Sequence, residues 1–399
     1  MHSTLRSLLA VGALLAVPTL ARAQDTTETA EGRPPSHAAL NLTAGGFGLS
    51  IGNSARVNGI RINWSDRGLE RVNGLNLTLW RPYKRLSGVI NGAAVGVVGP
   101  GASEINGLAL GLGGVVTDRR MRGVALAGLG VVSEGSIEGI SFAGLGAVAE
   151  GRVRGISLAG LGVVAQGSVS GIAMAGLGAV AEGDISGLAI AGLGAVAQGD
   201  VSGLLVGGLG AVAQGHITGV AISGLGTVSE GPMTGVGLAG LAVVTQGDLK
   251  WLSVAGLATV AEGDITGLTV SGLATVAQGR LRGLSVAGLA VVAQGDLTGI
   301  AFGGAGVVSE GTLRGAALSV YKAEAARVAG FTVAGYLKTR EFTGLGIGAY
   351  NRVRGPQTGL TIGVVNYARR LRGFQLGLIN IAGNNRGLAK VLPIVNAHL

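Results

Sequence analysis

The chain contains no cysteine in 399 residues. This removes both a disulfide framework and a lipid anchor on an N-terminal cysteine. Stability must therefore come from burial and backbone pairing. Aromatic residues make up 4% of the chain, too few for the two girdles of a transmembrane barrel. Beyond the first two dozen residues no window offers ~18 uninterrupted apolar residues of helix-forming type, so no membrane-spanning helix is expected. The histidines outside that leader are His37, His216 and His398. They are far apart and lack a spaced partner, so no metal site is expected.

Glycine is abundant, at 77 residues, and mean hydropathy is +0.53. Both follow from an internal repeat. Starting at Gly123, the unit G-V-A-L-A-G-L-G-V-V-S-E-G-S-I-E recurs every sixteen residues, twelve times without insertion, over residues 123–314; only Trp251 breaks the leading glycine. A period of this length marks stacked units that bury their apolar faces on one another. Four recurrent glycines, at about 1 kcal/mol each, would cost a helical unit roughly 4 kcal/mol. The valine at column ten (Val132, Val148, Val164 onward) and the Val, Ile or Leu at column two instead read as short strands between glycines. The expected fold is all-β: a β-solenoid with coils of about sixteen residues, shortening to fourteen or fifteen near the C-terminus. An outer-membrane β-barrel, one strand and turn per copy, is the alternative.

The pattern assigns tasks to columns. Column fifteen is always apolar, from Ile137 and Val153 to Leu313, although it lies in what should be a turn. With columns two, four, seven and ten it is expected to fill a narrow core. Columns five, eight and eleven hold small residues and would face outward, suiting lateral self-association. Column twelve is Glu or Gln in every copy, beginning Glu134, Glu150 and Gln166, and would form a ladder of stacked amides. Column fourteen varies among Ser168, Asp184, His216 and Pro232, as a solvated corner would.

In chain order, residues 1–23 combine Arg6, an apolar run from Leu8 to Val17 and Ala21-Arg22-Ala23. This is a secretory signal peptide with expected cleavage after Ala23. Residues 24–37 form a polar linker. Residues 38–122 carry degenerate repeats opening at Gly59, Gly74, Gly92 and Gly107, and residues 315–399 carry degenerate repeats and a cap, with starts at Gly315, Gly330, Gly344, Gly359, Gly373 and Gly387. Early, central and late starts together number twenty-two, which at roughly 4.8 Å per coil gives a stack of about 100 Å.

The C-terminal segments Gly359-Leu-Thr-Ile-Gly-Val-Val-Asn366, Gly373-Phe-Gln375-Leu-Gly377-Leu-Ile-Asn380 and Leu392-Pro393-Ile-Val-Asn396 resemble the G-x-Q-x-G-L-x-N repeats of the bacterial surface repeat-containing proteins first recognised in leptospires. The resemblance is close over about residues 344–399 and extends in period over most of the chain. It implies an exported bacterial protein displayed at a surface. The central array departs from it, with Ser157 or Ala173 where Gln is usual and Ala147 or Val163 where Asn is usual.

Residues 123–314 hold twelve acidic and six basic side chains, a net of −6, so the remainder carries +15 of the total +9. Arg119, Arg120 and Arg122 precede the array, while Arg369, Arg370, Arg372, Arg386 and Lys390 crowd the end. Such charges discourage end-to-end strand pairing, and they suit contact with anionic lipid or lipopolysaccharide and other envelope components. No nucleic-acid partner is expected.

Three motifs imitate chemistry. Gly128-Leu-Gly130-Val-Val-Ser133 resembles a dinucleotide fingerprint, but one that recurs through an array lacks the single strand-to-helix context of a real site. Glu182 with Asp184, and Glu262 with Asp264, are carboxylate pairs without the facing cleft that glycosidase chemistry needs. Aspartates at those corners lack the dense acidic repeat of calcium-loaded β-rolls. No catalytic, cofactor-binding or metal residue is assigned. The expected function is that of an exported, non-enzymatic structural or surface-display element, adhesion-type, at the outer membrane or cell surface or in the periplasm of a Gram-negative bacterium. The alternatives are a pore or anchor formed by the barrel, and a carbohydrate-active enzyme on a β-helical scaffold.

Overall fold

A computed structural model describes residues 39–44, 47–80 and 86–398. The signal-peptide and linker segments, His37 and the basic run Arg81–Arg85 lie outside the described residues. The described chain is a β-solenoid. Each central coil contributes a seven-residue strand and a four-residue strand, as in Val201–Gly207 and Gly210–Ala213. Each pairs in parallel with its counterpart sixteen residues on: Val201 with Ile217, Gly210 with Gly226. A barrel of up-and-down strands would need antiparallel neighbours and closure of the last strand on the first. Here the parallel ladder is open and the barrel alternative fails.

Column-one glycines set the path. They form one continuous rung-by-rung ladder from Gly48 to Gly373, at φ between 108° and 159° wherever glycine stands there. The reason is steric: a Cβ on Gly203 would lie 2.1 Å from the carbonyl oxygen of Gly187. Trp251 alone breaks the series, with φ 97°. Gly387, expected to open a further coil, lies instead in a 3-10 turn, Gly387–Lys390.

Both ends of the parallel stack are closed by antiparallel strands, Ala39–Ala44 on Phe47–Gly52 and Val391–His398 on the last coil. This is how the open sheet edges are managed, with Pro393 on the terminal strand adding a residue that cannot donate to a further one.

The core contradicts the expected assignment. Columns three, five, nine, eleven and fifteen are buried, as in Ala189, Ala191, Ala195, Ala197 and Val201, each at most 2% exposed. Columns two, four, seven and ten face outward, so only column fifteen of the expected core is buried; of the small columns expected outside, five and eleven are buried and column eight is not. Two sheets joined by tight corners leave little space between them, and the alternation of each strand gives that space to Ala, Ser, Thr and Val. Volume is balanced locally: where column three is Gly237, a Cβ there would meet the Met233 Cε at 2.7 Å, because the longer column-fifteen side chain occupies the gap. Several buried hydroxyls are paired, Ser141 donating to Ser157 at 2.8 Å, Thr269 to Ser285 at 2.8 Å and Thr245 to the Gly231 carbonyl at 2.8 Å, which offsets the cost of placing them in an apolar interior.

Candidate functional site

A central coil has two unlike edges. Starting at Gly203, Leu204 and Val206 point out of the long strand, and the Gly208-Leu209 corner follows with Leu209 49% exposed. Val212 points out of the short strand, and the Gln214-Gly215-His216 corner closes the turn. Stacking repeats the first corner as a leucine ladder, Leu129 to Leu289, in which each amide donates to the leucine carbonyl one coil earlier, Leu145 to Leu129 at 2.8 Å and Leu161 to Leu145 at 2.7 Å. The leucines are covered above and below by their neighbours and open to the outside. On the long-strand face Ile140 is 45% exposed, Phe142 52% and Phe302 43%, and on the short-strand face Val132 is 37% exposed.

At its two ends the edge turns aromatic. Trp64 and Trp80 stack at 5.8 Å near the N-terminal coils, and Tyr336 and Tyr350 at 5.3 Å near the C-terminal ones. Beside the tyrosines the edge broadens into an open apolar groove of about 900 Å³ whose walls include Val320, Val333, Ile347, Val364, Leu378 and Ile394.

The opposite edge holds the charge. All twelve acidic and six basic side chains of residues 123–314 occupy columns twelve, fourteen or sixteen, and none falls between columns one and eleven. The period had put this regularity in plain view, yet composition by region conceals it. Column fourteen is also more than a solvated corner. Wherever it is Asp, the carboxylate accepts the backbone N–H of column fourteen in the next coil: Asp184 from Asp200 at 2.8 Å, Asp200 from His216 at 2.7 Å, Asp248 from Asp264 at 2.9 Å, Asp264 from Arg280 at 2.7 Å and Asp296 from Thr312 at 2.7 Å. The Arg280 backbone N–H, with its guanidinium adding an ion pair at 2.9 Å, holds the Asp264 carboxyl below its ordinary range. Pro232, which has no N–H, follows His216 and not an Asp. Column twelve forms no ladder: no hydrogen bond joins successive Glu or Gln side chains among the described residues.

The remaining sequence candidates are dispersed. Asp184 and Asp264 serve as coil links, with Glu182 and Glu262 exposed beside them. His216 is an exposed side chain with Nδ1 3.1 Å from Asp200, and His398 contacts Asn385 in the terminal strand. Gly128 and Gly130 flank the leucine corner and lead into the strand Gly130–Ser133, with no helix. Arg119 pairs with Glu104 at 3.1 Å and Arg122 with Glu138 at 3.1 Å. In contrast, no Asp or Glu follows Glu341 in the sequence, and among the described residues no arginine after it forms an ion pair.

Two buried polar networks lay beyond the sequence reading. In the early coils, Arg61 and Asp66 form an ion pair at 2.8 Å with both side chains fully enclosed. The carboxylate also accepts from Asn63, Asn76, Thr78 and the Gly101 N–H. Burial pushes the Arg61 guanidinium below its usual pKa, with Asp66 opposing the shift. In the last coils the amides of the G-x-Q-x-G-L-x-N segments face inward: Asn351 donates to Asn366 at 2.7 Å, Asn366 to Asn380 at 2.7 Å and Gln375 to Gln357 at 3.0 Å. The amide ladder expected on the outer corner is thus inside, at the other end of the chain.

No protein-family model matches the chain, and neither a curated protein nor a solved structure matches it.

Proposed function

We propose that the chain is an exported, non-enzymatic repeat protein that acts as a structural or surface-display element of a bacterial envelope. One observation carries this reading: the column-one ladder continues from Gly48 to Gly373, with an antiparallel strand closing each end. A stack built this way offers reach and a surface repeated at every rung. The aspartates at its column-fourteen corners are occupied in joining coil to coil. The signal-like leader of residues 1–23 and the resemblance of residues 344–399 to leptospiral surface repeat proteins support delivery beyond the inner membrane.

Expression in a Gram-negative host tests the proposal. The expected product begins at Gln24, fractionates with the envelope and is cut by protease added to intact cells. A chain that keeps residues 1–23 and stays with the cytoplasm overturns it.

A further inference from the structure

We propose that the leucine edge of the solenoid seats in the hydrocarbon of a lipid leaflet, leaving the Glu/Gln-Gly-Asp edge in water. This rests on reading the chain as a stack that works through its surface, and is independent of where the chain is delivered.

Size is the first argument. Twelve rungs at ~4.8 Å make a strip about 58 Å long. Wrapped roughly 20 Å around the corner, it covers on the order of 1,000 Å², above the ~300–600 Å² of the largest apolar patch on a typical soluble monomer. Shape is the second. The strip is convex and apolar on both flanking faces, from Leu204 and Val206 across Leu209 to Val212. A second copy packed on one face would leave the other in water, whereas a fluid hydrocarbon phase wets both.

Charge placement is the third argument. Eighteen charged side chains in the array, without exception, take the columns of the opposite edge. The span from column two to the leucine corner is about five residues, or ~15 Å of strand, which matches half of a ~30 Å hydrocarbon core. The aromatics fit the same placement: Trp251, 72% exposed, stands at column one where the apolar face meets the charged edge, and amphipathic rings favour the level of the headgroups. At the C-terminal end, the arginines after Glu341 have no acidic neighbours in sequence to compete with anionic headgroups.

Because the chain has no cysteine, single cysteines report position cleanly. Leu209→Cys on the apolar edge and Gln198→Cys on the charged edge, each carrying an environment-sensitive fluorophore, would be mixed with neutral phosphatidylcholine vesicles and with vesicles containing phosphatidylglycerol. The expected result is flotation with both vesicle types that persists at about 0.5 M salt, where electrostatic contacts are screened. The spectrum should shift blue at position 209 and stay unchanged at 198. Replacing Leu177, Leu193, Leu209 and Leu225 together by serine should lower partitioning at least ~10-fold with the β circular dichroism retained. The cysteine readout stands even if the serine variant does not fold.

Three results overturn the proposal: no flotation with either vesicle; flotation with anionic vesicles alone that salt abolishes, with no shift at 209; or a lipid-free dimer that buries the 209 probe and ignores vesicles. The last would assign the edge to a second copy. Each leaves the protease result on intact cells unaffected, so failure of export and failure of lipid insertion are read separately.

Discussion

Replacing Trp251 by alanine and, separately, by glycine isolates the strain at column one. Trp251 holds φ 97° in a ladder whose neighbours Gly235 and Gly267 sit at 133° and 127°. Both replacements remove the same indole contacts, which are few because the residue is 72% exposed. The alanine keeps a Cβ in a backbone region that costs L-residues about 1–3 kcal/mol; the glycine escapes that cost but adds about 0.5–1 kcal/mol of unfolded-state entropy. The glycine variant should therefore be the more stable by about 1 kcal/mol, inverting the usual order of the two residues in a strand.

Coils interact only with their neighbours, so a global midpoint dilutes the effect. Native-state hydrogen exchange in the coils opening at Gly235, Trp251 and Gly267 should show opening about five times rarer in the glycine variant. Equal protection, or better protection in the alanine variant, would refute the claim that the ladder's backbone geometry selects glycine. Gly203→Ala makes the companion measurement. Its Cβ would stand 2.1 Å from a carbonyl oxygen, so it should be destabilised by more than the difference between the two Trp251 variants.

Four further outcomes are expected. Ala195→Val, at a fully buried small site, should cost about 1–3 kcal/mol in urea denaturation, whereas Leu209→Ala on the outer edge should stay within about 0.5 kcal/mol. Asn366→Ala should cost about 1–3 kcal/mol, because Asn380 Oδ1 and the Leu376 carbonyl lose its amide donor and Asn351 Nδ2 loses one of its acceptors. The Arg280 backbone N–H and guanidinium hold the Asp264 carboxyl below its ordinary range in the folded chain, so its contribution is present above the unfolded pKa and is lost as pH falls through the folded one. Exchange at the Arg280 amide should accelerate in that acid window, and Asp264→Asn should remove the pH dependence. Asp66→Ala should cost about 3–5 kcal/mol by leaving the Arg61 guanidinium buried without its counter-ion, measured by denaturation of the N-terminal coils.

The period, the strand class, the column-one glycines and the apolar column fifteen were all legible in the sequence, because each follows from local backbone chemistry repeated twelve times. The parity of the strands was not. Hydrophobicity assigns Leu209 and Val212 inward and Ala213 outward, and the structure reverses all three. Side-chain alternation has period two, so an error of one residue moves every residue to the wrong side. What fixes the phase is the small space between the two sheets, a property of the corners that no single residue type announces. The same error hid Arg61, Asn63, Asn76 and Thr78: they occupy columns three and five, neither of which was expected in the core. The charged edge was within reach, since sorting Asp, Glu, Lys and Arg by column needs only the period.

The aspartate links at column fourteen give the array a rule of succession. Because every coil meets only the coil before and the coil after, recombination between any two copies returns an unbroken stack, longer or shorter by whole steps of about 4.8 Å. One junction resists this freedom. Pro232 has no N–H to offer, and His216 is the residue that separates it from Asp200. Deleting the coil that carries His216 would set a carboxylate against a proline nitrogen that cannot donate to it. Growth and contraction by duplication are thus open along the array, except where they would seat an aspartate coil directly before the proline, a contact that the histidine coil now prevents.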